Sequence, residues 1–263
     1  NLLKLFCSVL VVSSLLFLPN SCQQEVLSLD NIYPDSSLKI KYQDDYKRNT
    51  FFKRISEFKE NPIGQNKVVF LGNSITNGLR RHFSKFNRSD LVNRGIDGDI
   101  SLGILERLDE LIYYKPKAVF ILIGLNDFFN DLTKMPEVTP KFVTKNIIKA
   151  ANKIQIESPK TKIYLQTILP INTQQYQNKL KKDTGNSYYW LESGFEININ
   201  EQILKTNEFL RNNKIFQVID LHPLFIDKNN IMNEKYSTDG VHLNKLGYQK
   251  WIDNINPVLS SIK

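Results

Sequence analysis

The chain has 263 residues, of which 41% are hydrophobic and 24% are charged. These values are typical of a globular protein and exclude a disordered chain, and the length is sufficient for one large α/β domain. The formal net charge is +8, but Lys and Arg are scattered and form no zinc-finger, recognition-helix or RNA-binding signature. We therefore expect a solvated basic surface, no nucleic-acid partner, and a positive field that favours an acidic substrate.

Residues 1–22 have the pattern of a signal peptide. Lys4 precedes the apolar stretch 5–19, which is too short to span a bilayer comfortably. Small residues and then Cys22 follow, and this ending predicts a bacterial lipoprotein signal in which Cys22 is lipidated. Pro19 stands where that pattern usually has leucine, so plain secretion stays the alternative. We expect an exported protein, either a lipoprotein of the bacterial cell envelope, held to the membrane only through its lipidated N-terminus, or a periplasmic or secreted protein.

Both cysteines of the chain precede residue 23, so the remaining body holds no disulfide. Residues 23–45 contain the turn-prone run 34–37 and predict an extended tether. Residues 46–60 carry apolar side chains at helical spacing and are followed by Pro62, which predicts the first helix of the domain. Strand and helix patterns then alternate, so we expect one domain over 46–263.

Short apolar runs predict strands at 67–71, 91–94, 118–123, 162–168 and 216–220. Amphipathic patterns predict further helices at 75–86, 102–114, 140–157, 197–212 and 245–256. Pro257 is expected to end or kink the last helix.

Strands separated by helices predict a five-stranded parallel sheet covered on both faces, which is a single three-layer α/β/α domain. Ligands of such sheets bind beyond the carboxyl ends of the strands. Ser74 follows the first predicted strand, 95–98 follows the second and Asn126 follows the third. We therefore expect these residues to meet at one edge of the sheet.

Ser74 lies in the sequence FLGNSITNG, directly after the first strand. Gly72 allows a sharp turn without a Cβ clash, and the helical pattern starts at Ile75. This is suitable geometry for a nucleophile, although an ordinary strand-to-helix corner has the same pattern.

The chain has three histidines that are candidates for a base. His82 lies two helical turns after the serine and is expected to point to solvent. His222 follows a strand end, two residues after Asp220, and is expected to pack or cap there. His242 follows Asp239 by three residues on a turn, where the carboxylate is able to hold one ring nitrogen and fix the tautomer. His242 is the better candidate.

An acyl-transfer site also needs hydrogen-bond donors for the developing oxyanion. The candidates are the Ser74 N–H, the backbone at Gly98 and the side-chain amide of Asn126. Taken singly, Gly98 is also explained as a turn glycine and Asn126 as a turn or cap residue. Together with Ser74 and the Asp–His pair, they supply every role that acyl transfer needs.

Four ordered blocks, GNSIT, GIDGD with Gly98, GLND and DGVH, resemble those of the SGNH (GDSL-type) hydrolases. The resemblance runs from Lys67 to about Trp251. It implies a flavodoxin-like fold, with Ser74 as the nucleophile, His242 as the base and Asp239 as its partner. It also implies an oxyanion hole formed by the Ser74 N–H, the Gly98 N–H and the Asn126 amide.

Two features qualify the resemblance. Asn73 replaces the aspartate that usually precedes the serine, and because Asn keeps an acceptor of similar size we expect little loss. Thr76 stands where the second glycine of the GxSxG elbow would be, so the α/β-hydrolase elbow does not apply.

Within the family, the chain is most similar to platelet-activating-factor acetylhydrolase-like esterases and bacterial sialate O-acetylesterases. This implies removal of acetyl groups from a small acylated substrate, an O-acetylated sugar such as sialic acid, with neither a metal nor an organic cofactor. The segment 172–195 is expected to border the cleft, with Tyr188, Tyr189 and Trp190 either stacking on a sugar ring or packing as a surface flap. The alternatives are a lysophospholipase or general short-chain esterase, and a surface glycan-binding protein without catalysis.

Overall fold

The computed structural model describes residues 28, 31–192 and 194–263. The predicted signal peptide, 1–22, and the predicted lipidation site, Cys22, lie outside the described residues. In the part of the chain that is described, no helix combines the length and the apolar character that a membrane crossing requires.

The domain is built on a five-stranded parallel sheet in the order β2-β1-β3-β4-β5. The strands are β1 (Val68–Gly72), β2 (Leu91–Gly95), β3 (Ala118–Leu122), β4 (Lys162–Gln166) and β5 (Gln217–Ile219). Every residue of β1 and β3 is buried, because these apolar strands lie inside the sheet and both of its faces are covered. This strand order is the flavodoxin-like one, and the predicted α/β fold is confirmed.

The connecting segments contain the helices of the domain. They are α1 (Asp45–Glu60), α2 (Ser74–Leu79), α3 (Ser101–Leu105), α4 (Asp109–Tyr114), α5 (Leu125–Phe128), α6 (Pro140–Glu157), α7 (Thr173–Thr184), α8 (Ile199–Arg211), α9 (His222–Phe225) and α10 (Lys245–Ser260). Short 3₁₀ helices lie at Arg80–Phe86, Leu132–Lys134, Tyr189–Leu191 and Glu234–Tyr236.

Several helix boundaries differ from the sequence prediction. The predicted helix 75–86 is α2 followed by a 3₁₀ helix, and the predicted helix 102–114 is divided into α3 and α4. Pro257 lies inside α10 and does not end it. Pro257 and Asp253 are both exposed, so the Asp253 carbonyl that loses a helical partner faces water and the cost of the proline is small.

The described part of the predicted tether packs on the domain. Ile32 and Ile40 are 1% and 7% exposed, and the Tyr33 hydroxyl donates to Glu110 Oε1 over 2.9 Å. These residues therefore belong to the folded domain and not to an extended tether. Two isolated apolar residues form no periodic pattern, which is why the sequence does not reveal this packing.

An aromatic stack in the core fixes the position of α10. Phe70, Phe120 and Tyr164 stack across β1, β3 and β4, with ring centroids 5.0 Å and 4.7 Å apart. Trp251 of α10 meets Phe70 edge-on at 6.5 Å, and its Nε1 donates to Gln166 Oε1 over 2.8 Å. Each aromatic pair contributes about 0.5–1.5 kcal/mol beyond its buried area. The loop that leads into α10 is thereby held against the ends of the strands.

Candidate active site

The turn between β1 and α2 places Ser74 at the first residue of the helix. A Cβ at Gly72 would lie 2.2 Å from Leu122 O and 2.3 Å from Thr76 Oγ1, so the close approach of β1 to its neighbours requires glycine here. Asn73 is the N-cap, and its Oδ1 accepts the Ile75 N–H over 3.1 Å. The side-chain oxygen that Asn73 shares with the usual aspartate therefore caps the helix, as the sequence comparison of the two residues suggests.

The loop before α10 brings His242 onto this serine. Ser74 Oγ lies 3.0 Å from His242 Nε2, and His242 Nδ1 lies 2.7 Å from Asp239 Oδ2. The other carboxylate oxygen, Asp239 Oδ1, accepts the backbone N–H groups of Val241 and His242 over 2.9 Å and 2.7 Å. The local turn thus holds the carboxylate, and the carboxylate holds the ring with Nε2 directed at Ser74.

The charges of this pair stabilise a protonated ring beside an ionised carboxylate. Burial lowers the pKa of His242, but the hydrogen bond and the charge of Asp239 outweigh it, and the pKa lies above its ordinary value of 6.5. Burial also raises the pKa of Asp239, but the hydrogen bonds and charge of His242 and the Val241 N–H outweigh it, so this pKa lies below its usual range. His242 is therefore a strengthened base near Ser74.

The loop at 96–100 carries Gly98 and is held beside the serine turn. The Ile96 N–H donates to Gly72 O over 3.0 Å, and Asn126 Nδ2 donates to Asp99 O over 2.9 Å. Gly98 has a φ of +77°, a conformation that L side chains rarely adopt. Among the residues described, the N–H groups of Ser74 and Gly98 donate to no protein acceptor, so both remain able to bind an external oxygen.

The family model described as GDSL-like Lipase/Acylhydrolase matches residues 70–250. That range spans most of the chain and includes all four blocks of the site. The chain belongs to this family. It is therefore an ester hydrolase, and the resemblance seen in the sequence is confirmed. A comparison with curated proteins finds no significant match.

Several solved structures have the same fold as this GDSL-type hydrolase. A candidate platelet activating factor from Streptococcus pneumoniae aligns with a TM-score of 0.63 at 22% identity, covering 81% of this chain and 92% of that one. A GDSL-like lipase from Bacteroides thetaiotaomicron gives a TM-score of 0.60 at 22% identity, with coverages of 80% and 97%. An acetyl xylan esterase gives 0.53 at 20% identity, with coverages of 73% and 99%.

A buried ion pair between Arg107 and Asp99 stabilises the 96–100 loop of the hydrolase. Arg107 Nε and Nη2 donate to Asp99 Oδ2 over 3.0 Å and 2.7 Å, and both side chains are almost fully buried. The same guanidinium donates to Gly72 O over 3.0 Å and to Arg94 O over 2.8 Å. Arg107 therefore joins the residue after Gly98 to the strand end before Ser74.

A second buried carboxylate, Asp127, directly follows Asn126 in the chain. Asp127 accepts the Ser101 N–H over 2.8 Å and the Ser101 hydroxyl over 2.5 Å, and Asn146 Nδ2 donates to that hydroxyl over 3.0 Å. Burial raises the pKa of Asp127 to about 7.

Neither of these two supporting networks is predicted from the sequence. One signal was available for the first, because Asp99 directly follows Gly98 and Arg107 is a charged residue within an apolar helical pattern. The sequence carries no such signal for the second network, because the fold alone brings Ser101 to Asp127 and Asn146.

In the described structure, neither of the other two histidines forms a hydrogen bond with Ser74 or lines its pocket. His222 is 3% exposed, and in the described structure its buried Nε2 has no hydrogen-bond partner. Asp220 does not orient the His222 ring, because the Asp220 carboxylate accepts hydrogen bonds from Thr167 Oγ1 and Arg211 Nε, each over 2.9 Å. His82 is half-buried and stacks on Tyr248 with centroids 4.6 Å apart, so the prediction that it points to solvent is wrong.

The aromatic residues predicted to border the cleft contact one another. Tyr188 stacks on Trp190 with centroids 4.5 Å apart, and Tyr189 meets the edge of Trp190 at 5.0 Å. The Tyr189 hydroxyl donates to Asp131 and accepts from Lys134 Nζ. None of these three rings, those of Tyr188, Tyr189 and Trp190, lines the pocket beside Ser74. The structure therefore favours a packed surface flap over a platform on which a sugar ring stacks.

The pocket beside Ser74 has a volume of about 190 Å³. Its wall includes Ser74 and His242 together with Asn77, Arg81 and Asp97. In the described ranges, no cluster of three or more His, Cys, Asp or Glu side chains is arranged to hold a metal ion.

Proposed function

We propose that the protein is a serine esterase that removes acetyl groups from O-acetylated sugars, with sialic acid as the leading candidate. The observation that carries the proposal is the chain of contacts from Ser74 Oγ to His242 Nε2 and from His242 Nδ1 to Asp239 Oδ2, at 3.0 Å and 2.7 Å. A nucleophile, a base and an orienting group in this order form the arrangement that activates a serine hydroxyl.

In the proposed reaction, Ser74 Oγ attacks the ester carbonyl carbon while His242 Nε2 takes the hydroxyl proton. The carbonyl oxygen becomes an oxyanion, which the N–H groups of Ser74 and Gly98 and the Asn126 amide stabilise. The imidazolium then gives its proton to the leaving alcohol. Water attacks the acetyl-enzyme with His242 again as the base, which releases acetate and restores Ser74. Asp239 keeps the ring in the required tautomer throughout.

Two observations support a short acyl group on a polar leaving group. The pocket beside Ser74, at about 190 Å³, is smaller than the roughly 300–1,000 Å³ of sites for drug-sized ligands. Its wall includes the polar side chains of Asn77, Asp97 and Thr238, which suit the hydroxyl groups of a sugar. A structural neighbour named as an acetyl xylan esterase is consistent with this substrate class.

The test compares wild-type protein with Ser74→Ala on acetyl, butyryl and octanoyl esters of one chromogenic alcohol, and on O-acetylated sialic acid and acetylated xylan. We expect kcat/KM to fall steeply from acetyl to octanoyl, since each methylene changes binding by about 1–3 kcal/mol. We also expect the wild-type protein to release acetate from at least one of the acetylated sugars. Folded Ser74→Ala, checked by circular dichroism, should lose about three or more powers of ten in rate.

Other outcomes lead to the alternative functions. Octanoyl esters matching or exceeding acetyl esters, with no acetate released from any sugar, would indicate a lysophospholipase or general esterase. Sugar binding with no hydrolysis of any ester would indicate a glycan-binding protein. Wild-type-like activity in folded Ser74→Ala would remove the proposed mechanism.

We also propose that the protein is exported and anchored to a bacterial envelope through lipidated Cys22, as the residues before this cysteine indicate. Mass spectrometry of the mature N-terminus tests this. A diacylglyceryl group on an N-terminal Cys22 is expected, and an unmodified N-terminus at another residue would indicate plain secretion.

A further inference from the structure

The pocket beside Ser74 contains an arginine that the acyl-transfer chemistry does not use. Arg81 lines the same pocket as Ser74 and His242. Its charge lowers the pKa of His242, and the charge of Asp97 raises it, so both charged groups lie within electrostatic range of the reacting ring.

The pairing of Arg81 differs from that of most arginines in the domain. Five arginines each form an ion pair with a carboxylate: Arg54, Arg88, Arg94, Arg107 and Arg211. Arg48 donates to backbone carbonyls. Within the ranges that the structure describes, the side chains of Arg80 and Arg81 have neither an ion-pair nor a hydrogen-bond partner. Arg81 thus presents a free guanidinium to the pocket.

Gly78 and Tyr248 lie beside this guanidinium. A Cβ at Gly78 would lie 1.9 Å from the Tyr248 hydroxyl and 3.5 Å from Arg81 Nη2. Tyr248 is itself fixed, since its hydroxyl donates to Ile75 O over 2.9 Å. The position of Tyr248 therefore requires glycine at residue 78, and Arg81 Nη2 lies within ordinary van der Waals distance of the same site.

The neighbouring carboxylate already has a partner of its own. Asn77 Nδ2 donates to Asp97 Oδ1 over 2.8 Å, which holds Asp97 against the α2 side of the pocket. The same contact leaves Asn77 Oδ1 buried and, among the described residues, without a donor. The pocket wall thus offers acceptors for hydroxyl groups at Asp97 and Asn77 and a cationic fork at Arg81.

We propose that Arg81 is a specificity-determining residue that binds a carboxylate on the leaving-group side of the ester, so that the enzyme prefers acidic acetylated substrates over neutral ones. This inference rests on the proposed esterase function and narrows its substrate class. A guanidinium is suited to this role because its planar donors match the two oxygens of a carboxylate.

Matched pairs of esters test the inference without a sugar. The substrates are 3-acetoxybenzoate and 4-acetoxybenzoate, whose carboxylates lie at two distances from the ester, each paired with its neutral methyl ester. Charge selectivity is the kcat/KM of the acid divided by that of its methyl ester. We expect selectivity above one in the wild type for at least one isomer, and a loss of roughly 10- to 100-fold in Arg81→Gln, the range for a hydrogen bond to a charged group. The loss should appear mainly in KM, with partial recovery in Arg81→Lys.

Arg80→Gln is the control, because it removes the same charge from the adjacent residue. Both arginines are exposed. Arg81 lines the pocket of Ser74, whereas Arg80 lines the neighbouring groove, which shares Asn77 and Asp97 with that pocket. Arg80→Gln should keep the wild-type selectivity. Equal losses in Arg80→Gln and Arg81→Gln would show a general field effect and overturn the inference, and so would unchanged selectivity in Arg81→Gln for both isomers.

A binding measurement separates this inference from the esterase function. Calorimetric titration of Ser74→Ala with 3- and 4-hydroxybenzoate, the reaction products, does not require turnover. If wild-type protein hydrolyses neither these esters nor the acetyl esters and sugars named above, the proposed function fails. Arg81 is still tested by whether Arg81→Gln, added to Ser74→Ala, weakens this binding about 10-fold or more. No weakening there overturns the role of Arg81 alone.

Discussion

Arg107→Met should destabilise the protein strongly, because it leaves a carboxylate buried without its cation. Asp99 is 1% exposed, and both contacts of its Oδ2 come from Arg107. Without that guanidinium, the described contacts of the carboxylate reduce to the Ile100 N–H, at 3.0 Å from Oδ1. The Arg94 and Gly72 carbonyls each lose a donor as well. Met keeps most of the side-chain volume, so the loss is electrostatic and not a cavity.

The magnitude follows from the burial of the pair. Removing one partner of a buried ion pair costs about 3–5 kcal/mol of unfolding free energy, because the remaining charge has lost its solvation. For a domain of this size each 1 kcal/mol lowers Tm by about 2–4 °C, so a fall of roughly 6–20 °C is expected. Arg211→Met is the matched control, since the Arg211–Asp220 pair is exposed at 36% and 40% and such pairs contribute about 0–1 kcal/mol.

The assay is urea unfolding followed by circular dichroism, with scanning calorimetry for Tm. The double variant Asp99→Asn/Arg107→Met should recover part of the loss, because no buried charge remains. If Arg107→Met costs no more than Arg211→Met, or if the double variant is less stable than Arg107→Met alone, the electrostatic reasoning is refuted.

Three further predictions concern the site and its surroundings. His242→Ala should lose about three or more powers of ten in kcat whereas His222→Ala keeps its activity, and the reverse pattern would overturn the assignment of the base. The acid limb of kcat/KM should have its midpoint above pH 6.5, because Asp239 raises the pKa of His242 and the protonated ring cannot accept the serine proton; a midpoint at or below 6.5 contradicts this. Burial lowers the pKa of His222 to about 4, so the unfolded chain takes up a proton between pH 6.5 and 4 that the folded protein does not. The free energy of unfolding should therefore decrease as the pH falls from 6.5 to 4, and this decrease should be smaller in His222→Leu.

The sequence by itself determined the features that depend on neighbouring residues. Continuous apolar runs gave β1 and β3, and their alternation with helices gave a parallel sheet. The carboxyl ends of parallel strands lie at one edge, which is why Ser74, Gly98 and Asn126 were expected together. Asp239 and His242 are three residues apart, so a turn alone brings the carboxylate to the ring.

The tertiary structure decided whatever depends on residues that are distant along the chain. Ser74 and His242 are separated by 168 positions, and only the packing of α10 on the sheet sets their separation at 3.0 Å. The partners of Arg107 are two carbonyls and one carboxylate on other elements. The fold also decides that, among the described residues, no carboxylate forms an ion pair with Arg81. Tyr188 and Trp190 had the composition of a sugar platform, but their ring faces cover each other. Composition states which groups a segment offers, whereas the fold decides which of them are already occupied.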